Sequence, residues 1–347
     1  MHFASDNAGP VHSRVMEALA TANEGHALAY GGDGLTARAK ERIRDVFEAP
    51  RAEVFLAASG TAANAILLAS LTRPWGTVFA AETAHIHEDE CGATEFMTGG
   101  AKITLVRGEH GKLDVGALAD AIAGLGGRGV HGVAPGPVSL TNVTERGTLY
   151  TAREIAGIAA VARAAGVPLH MDGARFANAV AALGCTPAEI TWQAGVEALS
   201  LGATKNGCLA AEALVVFDPA LAGEVERRRM RAGHLLSKHR FLAAQFLAWF
   251  EDGLWLDLAA RANAAAARLA RGLRERPEIA FCHEPQANML FIDMPRAIHR
   301  HLIARGAVYN LWSGRLDGDD DDEVLTARLV CGWSTTDAEI DAFLDLF

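Results

Sequence analysis

One lysine follows an apolar run in the stretch Leu199 to Gly207, LSLGATKNG. The run from Val196 to Leu201 is typical of a buried strand, so Lys205 is predicted to lie just beyond the end of that strand. The small residues around it leave room near its amine. An amine so placed can lose its proton and attack a carbonyl carbon, which is how lysines form Schiff bases. The alternative is a surface-loop lysine, because charged side chains are usually exposed.

A second apolar segment, Leu169 to Met171, lies upstream and ends in the carboxylate of Asp172. A buried aspartate at one strand end and a lysine one βα unit later are what a pyridoxal phosphate (PLP) site requires. The aspartate keeps the pyridine nitrogen protonated, and the lysine carries the aldehyde. The alternative for Asp172 is a helix cap.

A short turn, Ala58-Ser59-Gly60-Thr61, connects an apolar strand directly to a helix. The N–H groups of this turn and the Thr61 hydroxyl can hold a phosphate group, helped by the helix dipole. The alternative is an ordinary threonine N-cap, which is common at helix starts.

The segment His85 to Glu90, HIHEDE, follows the next predicted strand and carries two histidines and three acids. It lacks the HExxH spacing and a CxxC partner, so we predict no metal here. A histidine at a strand end can instead lie against a cofactor ring or act as a base near neutral pH. A solvated, charged loop is the alternative.

Arg328 lies in an alternating strand near the C-terminus, Leu325 to Val330. A guanidinium that points into a crevice between domains can bind a substrate carboxylate through two parallel hydrogen bonds. The alternative is an edge-strand arginine that faces water.

Composition restricts the classes of function. The chain has 347 residues, 50% of them hydrophobic and 21% charged, which predicts an ordered protein with a large core. A net charge of −10 without a long basic run argues against nucleic acid or an acidic membrane surface as partner. We read the acidic segment 317–323 as a solvated turn, because its spacing does not fit a calcium loop.

The sequence also predicts the compartment. The N-terminus has neither a basic region nor an apolar run, so we predict no signal peptide. No stretch approaches the roughly 18–20 apolar residues of a membrane span. Five scattered cysteines fit reduced thiols in the cytoplasm better than a disulfide framework.

Short apolar strands alternate with helices from Glu53 to Phe217, which predicts a mostly parallel sheet covered by helices. One of these strands is predicted at Gly132 to Ala134. Ligands bind at the carboxyl ends of strands in such sheets, where the candidate residues fall. Beyond Pro219 three helices come in succession, followed by short strands. We therefore predict a large domain over residues 1–245 and a small α+β domain over 246–347.

Seven motifs in this order resemble the low-specificity L-threonine aldolases, PLP enzymes of fold type I (the aspartate aminotransferase-like fold). The resemblance extends over nearly the full length. The version GATKNG is similar to a bacterial subgroup that includes phenylserine-type aldolases. The motifs are FASDN from Phe3, YGGD from Tyr30, ASGTAAN from Ala58, HIHEDE from His85, HMDGAR from His170, GATKNG from Gly202 and RLV from Arg328.

The resemblance implies a seven-stranded sheet between helices and a role for each candidate residue. Lys205 would be the Schiff-base lysine, Asp172 would pair with the pyridine nitrogen, and His85 would stack on the ring. Gly60 and Thr61 would bind the phosphate. Arg175 would lie near the ring hydroxyl and, with Ser5 and Arg328, would hold the substrate carboxylate. Residues Tyr30 to Thr36 would reach the site of a neighbouring subunit, in a homotetramer built as a dimer of dimers.

The chain departs from the family pattern at one position. Many members carry Asn-Thr-His where this chain has Asn142-Val143-Thr144. The histidine near the substrate's β-hydroxyl is therefore absent, which leaves His85 as the candidate base.

The resemblance implies a lyase that cleaves L-threonine, L-allo-threonine and related β-hydroxy-α-amino acids to glycine and an aldehyde, reversibly. Two alternatives remain within PLP chemistry: a phenylserine-preferring aldolase, or another reaction such as β-elimination or transamination. A third is a non-catalytic protein of the same fold that binds an amino acid. Retention of Lys205, Asp172 and Arg328 argues against the third.

Overall fold

A computed structural model describes residues 1–347. Seven strands form the main sheet: β1 (Glu53–Ala57), β2 (Gly76–Ala81), β3 (Lys102–Val106), β4 (Ala134–Thr141), β5 (Leu169–Gly173), β6 (Ala198–Gly202) and β7 (Glu212–Val216). Their spatial order is β1-β7-β6-β5-β4-β2-β3. Strand β7 runs antiparallel to both of its neighbours, and the other pairings are parallel. The predicted mostly parallel, seven-stranded α/β fold is confirmed.

Thirteen α-helices complete the chain, and most of them cover the main sheet. They are α1 (Ser13–Ala22), α2 (Gly34–Val46), α3 (Gly60–Leu71), α4 (His85–Glu88), α5 (Ala93–Thr98), α6 (Val115–Ala123), α7 (Ala152–Ala164), α8 (Phe176–Leu183), α9 (Ala222–Arg231), α10 (Arg240–Phe250), α11 (Leu254–Arg274), α12 (Arg296–Ala304) and α13 (Asp337–Leu344). No helix is both long and apolar enough to cross a membrane.

Strands β2, β5, β6 and β7 are buried along their whole lengths. Their near-continuous apolar sequences follow from this position, because helices cover both faces of such a sheet. Helix α3 is buried over residues 63–69 as well. Apolar residues lie on every side of this helix. The polar side chain of Asn64 within this helix therefore lies in the interior.

The strand predicted at Gly132 to Ala134 is displaced, because β4 starts at Ala134 and extends to Thr141. Pro135 and Pro137 lie inside it and argue against a central strand, since proline cannot donate to a ladder. The structure accommodates them in an irregular stretch that pairs with β2 alone, and pairing with β5 begins only at Val138.

The charged segment after β2, for which a solvated loop was the alternative, contains helical structure. Residues His85–Glu88 form the single turn α4, and α5 follows at Ala93–Thr98. Gly92 and Gly99 bracket α5 with positive φ angles of 72° and 83°, which glycine adopts without strain.

A second sheet of four antiparallel strands lies in the C-terminal part. It contains β8 (Ala280–Phe281), β9 (Met289–Pro295), β10 (Asn310–Ser313) and β11 (Val324–Val330) in the order β10-β11-β9-β8. Its core also includes Phe3 from the N-terminus, which packs edge-on against Phe343 with ring centroids 5.1 Å apart. The boundary between residues 245 and 246 stays a prediction.

Candidate active site

A polar cavity of about 260 Å³ lies at the edge where β1, β2, β4, β5 and β6 end. Loops from parallel strands converge at this edge, so residues far apart in sequence share one wall. Six of the eight predicted site residues line it: Gly60, Thr61, His85, Asp172, Arg175 and Lys205. The remaining lining residues are Asn7, Ala58, Ser59, Asn64, Glu90, Thr141, Val143, Glu145, Ala174, Ser200, Thr204 and Glu212.

Lys205 lies in a 3-10 turn between β6 and β7, and its neighbour Asn206 anchors that turn. The Asn206 side chain donates to the Trp255 backbone carbonyl at 2.7 Å, and the Asn206 backbone carbonyl accepts from the Trp249 indole at 2.9 Å. Gly207 ends the turn with φ 97°, and a Cβ there would lie 2.8 Å from Leu258 Cδ1. The backbone therefore fixes the lysine in the cavity wall, and the surface-loop alternative does not hold.

Asp172 is 4% exposed and lies near the end of β5. Its Oδ2 accepts from the Asn64 amide at 2.7 Å, and its Oδ1 accepts from the Ala174 N–H at 2.9 Å. The same Asn64 nitrogen donates to Glu90 Oε1 at 2.9 Å. These bonds stabilise a buried, negatively charged carboxylate.

His85 begins the short helix α4, and its Nδ1 donates to Glu90 Oε1 at 2.8 Å. This hydrogen bond, aided by the charge of Asp172, raises the pKa of His85 above its usual value against the effect of burial. Nitrogen and oxygen atoms of His85, Glu90 and Asp172 lie within 4.8 Å of one another. The direct contacts with Glu90 and the bridging amide of Asn64 account for this cluster as a hydrogen-bonded network.

The turn before α3 has Ser59, not Thr61, as its N-cap. The Ser59 hydroxyl accepts from the Ala62 N–H at 3.3 Å. The N–H groups of Gly60 and Thr61 have no acceptor within the chain, as expected for the first turn of a helix. Both residues line the cavity at the positive end of the helix dipole, where an anion is stabilised.

Arg175 forms a bidentate pair with Asp6 from the N-terminal arm, at 2.6 Å and 2.8 Å. Burial opposes ionisation of Asp6, but the charge and hydrogen bonds of Arg175 outweigh it, so the pKa of Asp6 lies below its usual value. Asn288 adds a third hydrogen bond to the same carboxylate, at 3.0 Å.

Ser5 and Arg328 lie outside the cavity wall. The Ser5 hydroxyl caps a 3-10 turn by accepting from the Asn7 N–H at 3.1 Å. Arg328 is half-buried with its Nε lacking a partner, and burial together with the Arg175 charge lowers its pKa. The charge of Asp6 acts on Arg328 in the opposite direction, so Arg328 lies within electrostatic range of the Asp6–Arg175 pair.

Besides Glu90, two further carboxyl groups in the cavity were not predicted as site residues. Burial raises the pKa of Glu145 to about 7, although Thr141 and the His85 N–H donate to it at 2.7 Å and 2.9 Å. Burial likewise raises the pKa of Glu212 to about 7. In the sequence, Glu145 follows an apolar strand and Glu212 begins one. Sequence spacing alone does not distinguish such acids from acids in a solvated loop.

The position of the missing family histidine is also resolved. Thr144 is fully buried and bonds to Thr148 at 2.7 Å instead of facing the cavity. Val143 lines the cavity beside it. Nothing in this segment replaces an imidazole.

Comparison with known proteins shows the family to which the chain belongs. The model of the beta-eliminating lyase family matches residues 2–296. The chain belongs to this family. It is 40% identical to the low-specificity L-threonine aldolase of a Pseudomonas species (strain NCIMB 10558), over 97% of this chain and 94% of that one. It is 41% identical to the protein of the same name from Pseudomonas aeruginosa, over 96% of this chain and 93% of that one.

A solved structure of Leishmania major threonine aldolase has the same fold. Its TM-score is 0.91 at 29% identity, with 99% of this chain and 98% of that chain covered. The resemblance inferred from the seven motifs is therefore confirmed, and this beta-eliminating lyase family member is a PLP-dependent lyase.

The residues of the cavity fit PLP. The unpaired N–H groups of Gly60 and Thr61 suit a phosphate, and the carboxylate of Asp172 suits a protonated ring nitrogen. Lys205 and Glu212 line the same cavity. We propose that these residues hold the cofactor.

Proposed function

We propose that this enzyme cleaves L-threonine, L-allo-threonine and related β-hydroxy-α-amino acids between Cα and Cβ, giving glycine and an aldehyde reversibly. The observation that carries the proposal is the 40% identity to a low-specificity L-threonine aldolase over 97% of the chain. Three residues that this chemistry requires, Lys205, Asp172 and His85, line one cavity.

PLP, when bound, supplies an electron sink for the pair released as the Cα–Cβ bond breaks. Lys205 would hold the cofactor covalently through Nζ and yield its place to the substrate amine. Asp172 would hold a proton on the ring nitrogen, a role supported by its two hydrogen bonds and its burial. An ionised carboxylate there stabilises the positive charge of the protonated ring.

His85 would stack on the ring and accept the β-hydroxyl proton through its Nε2, directly or through one water. The support is its place in the cavity wall and its fixed Nδ1, which donates to Glu90 and leaves Nε2 as the acceptor. No histidine stands at position 144 to share this task.

Arg175, Ser5 and Arg328 would bind the substrate carboxylate. Arg328 contributes an unpaired Nε beside the Asp6–Arg175 pair. Ser5 precedes Asp6 in the arm that this pair attaches to the site. A carboxylate held there orients the substrate so that the bond to be broken stands perpendicular to the ring.

The working unit would be a homotetramer in the cytoplasm, with small molecules as its ligands. Tyr30 is 59% exposed and the segment Tyr30 to Thr36 does not line the cavity of its own chain. Its exposed residues, Tyr30, Gly32 and Gly34, would reach the site of a neighbouring subunit. Gel filtration combined with light scattering tests the tetramer.

The activity is tested by incubating the purified, PLP-loaded enzyme with L-threonine, L-allo-threonine, D-threonine and phenylserine. Release of glycine with the matching aldehyde is the expected result. Pyruvate and ammonia would instead identify a β-eliminating lyase, and faster turnover of phenylserine would identify the aryl-preferring variant. Absence of any product from all four substrates would contradict the proposal.

A further inference from the structure

The end of the cavity assigned to the phosphate also contains a carboxyl group. Glu212 is the first residue of β7 and is 5% exposed. Because β7 runs antiparallel, it starts where its neighbours end, and Glu212 pairs with Ala57 of β1 and Gly202 of β6. The acid therefore lies between the turn that begins α3 and the turn that carries Lys205.

The two oxygens of Glu212 have different environments. Oε1 accepts from the Thr204 hydroxyl at 2.6 Å, and that hydroxyl also accepts from the Ala211 N–H at 3.1 Å. Oε2 points towards the other turn, 3.9 Å from where a Cβ on Gly60 would lie. This oxygen, which accepts no hydrogen bond within the chain, thus lies beside Gly60, in the turn whose N–H groups would bind the phosphate.

A phosphate ester is close to a dianion above pH 7, since its second pKa is about 6. An ionised carboxylate next to it would repel it across a site with little water, where charges are poorly screened. A protonated carboxyl is a donor and would add to the N–H groups of the turn. Burial raises the pKa of Glu212 to about 7, and Asp172 adds to this effect, while Thr204 and Lys205 act against it. Cys208 is the other titratable group close enough to interact with it.

We propose that Glu212 is protonated when the cofactor is bound, donates a hydrogen bond from its carboxyl to a phosphate oxygen, and takes up that proton from solvent as the cofactor binds. This rests on the assignment of the Gly60–Thr61 turn to the phosphate, which is part of the proposed function. Glu212 is thereby a binding residue whose proton makes cofactor affinity dependent on pH.

The test is calorimetric titration of the full-length apoenzyme with pyridoxine 5′-phosphate. This probe carries the ring and phosphate but has no aldehyde, so no bond to Lys205 disturbs the proton count. Titrations near pH 8, in buffers of different ionisation enthalpy, give the number of protons taken up. We expect about one proton per site for the wild type, and an affinity that falls up to about tenfold per pH unit above the pKa of the free carboxyl.

The variant Glu212→Gln keeps the shape and a hydrogen-bond donor. We expect it to bind the probe near pH 8 at least as well as the wild type, with about one proton fewer taken up. Glu145→Gln is the matched control, because Glu145 is a second buried acid of the same cavity that lies beside His85 rather than beside Gly60. It should keep the wild-type proton uptake. Pyridoxine without phosphate should show no difference between wild type and Glu212→Gln.

Equal proton uptake by wild type and Glu212→Gln would overturn the proposal. An affinity of the wild type for pyridoxine 5′-phosphate that does not change with pH would also overturn it, and this measurement requires no variant. Infrared difference spectra of the holoenzyme give a second readout, since the C=O band of a protonated carboxyl should disappear in Glu212→Gln. Comparing the two probes in the wild type separates the two hypotheses: if pyridoxine binds as tightly as pyridoxine 5′-phosphate, the phosphate assignment itself fails, whatever Glu212 does.

Discussion

The carboxylate of Asp6 and the guanidinium of Arg175 are joined by two hydrogen bonds, at 2.6 Å and 2.8 Å, across 169 positions of sequence. This pair attaches the N-terminal arm to the wall of the active site. Their side chains are 2% and 14% exposed, so the pair is buried. The positive charge of Arg175 is therefore neutralised by a residue of the N-terminal arm.

We expect Asp6→Asn to reduce the free energy of unfolding by about 3–5 kcal/mol, because it leaves the Arg175 charge buried without its partner. The matched control is Asp252→Asn, which removes an exposed pair with Arg14 and should cost less than about 1 kcal/mol. Urea denaturation measures both. The pKa of Asp6 is lowered by folding, so its stabilisation is present above the unfolded value of 3.8 and is lost as the pH falls towards the folded value. A difference between Asp6→Asn and wild type that persisted undiminished at lower pH would contradict the assignment.

We expect Lys205→Ala to abolish the visible absorbance of the covalently bound cofactor and to reduce turnover roughly a thousandfold or more, because no other amine is placed to form that bond. Lys102→Ala is the control, since Lys102 is an exposed residue of β3. Absorption spectra and glycine release are the measurements. An unchanged spectrum in the Lys205 variant would eliminate this residue as the covalent anchor.

We expect Glu90→Gln to move the acid limb of the pH–rate profile to lower pH. The Glu90 hydrogen bond raises the pKa of His85 above 6.5. The base must be a neutral imidazole to accept a proton. As the pH falls, the wild type therefore loses this neutral form at a higher pH than the Glu90→Gln variant does. Asp172 also raises this pKa and Lys205 lowers it, and both effects remain in the variant.

Glu88→Gln is the control for this profile, because Glu88 lies 3.6 Å from His87 rather than beside His85. Its acid limb should match the wild type. A profile of kcat/KM that does not move in Glu90→Gln would show that another group carries the proton.

We expect Gly207→Ala to destabilise the enzyme and to lower the fraction of covalently bound cofactor. Its φ of 97° strains an L side chain, and an added Cβ would come within 2.8 Å of Leu258 Cδ1, so either the turn that carries Lys205 or the packed leucine must shift. Gly233→Ala is the control for backbone strain alone, because Gly233 has φ 72° and nothing within 4 Å of the added atom. Melting temperature and cofactor absorbance measure the two effects. Equal losses in both variants would mean that the contact with Leu258 has no part in holding the lysine.

The sequence by itself determined the order of strands and helices and the positions of Asp172 and Lys205 near the ends of strands. Both follow from local patterns, because apolar runs of strand length bounded by polar and small residues are visible along the chain. In a parallel sheet such ends meet at one edge, so a shared site could be predicted without coordinates. The extent of β4 was not predicted because of its two prolines. Proline disfavours a central strand, but the sequence does not show where the pairing with each neighbouring strand begins.

Only the tertiary structure decided which further groups surround these residues. Asn64 is the one polar residue in the buried stretch 63–69 of α3, and its amide is seen to join Glu90 and Asp172 only once α3 packs behind the sheet. Glu212 belongs to the site because β7 runs antiparallel and brings its first residue to the edge where β1 and β6 end. Burial and the pKa of a carboxyl depend on atoms contributed by distant segments, and no pattern along the chain contains them.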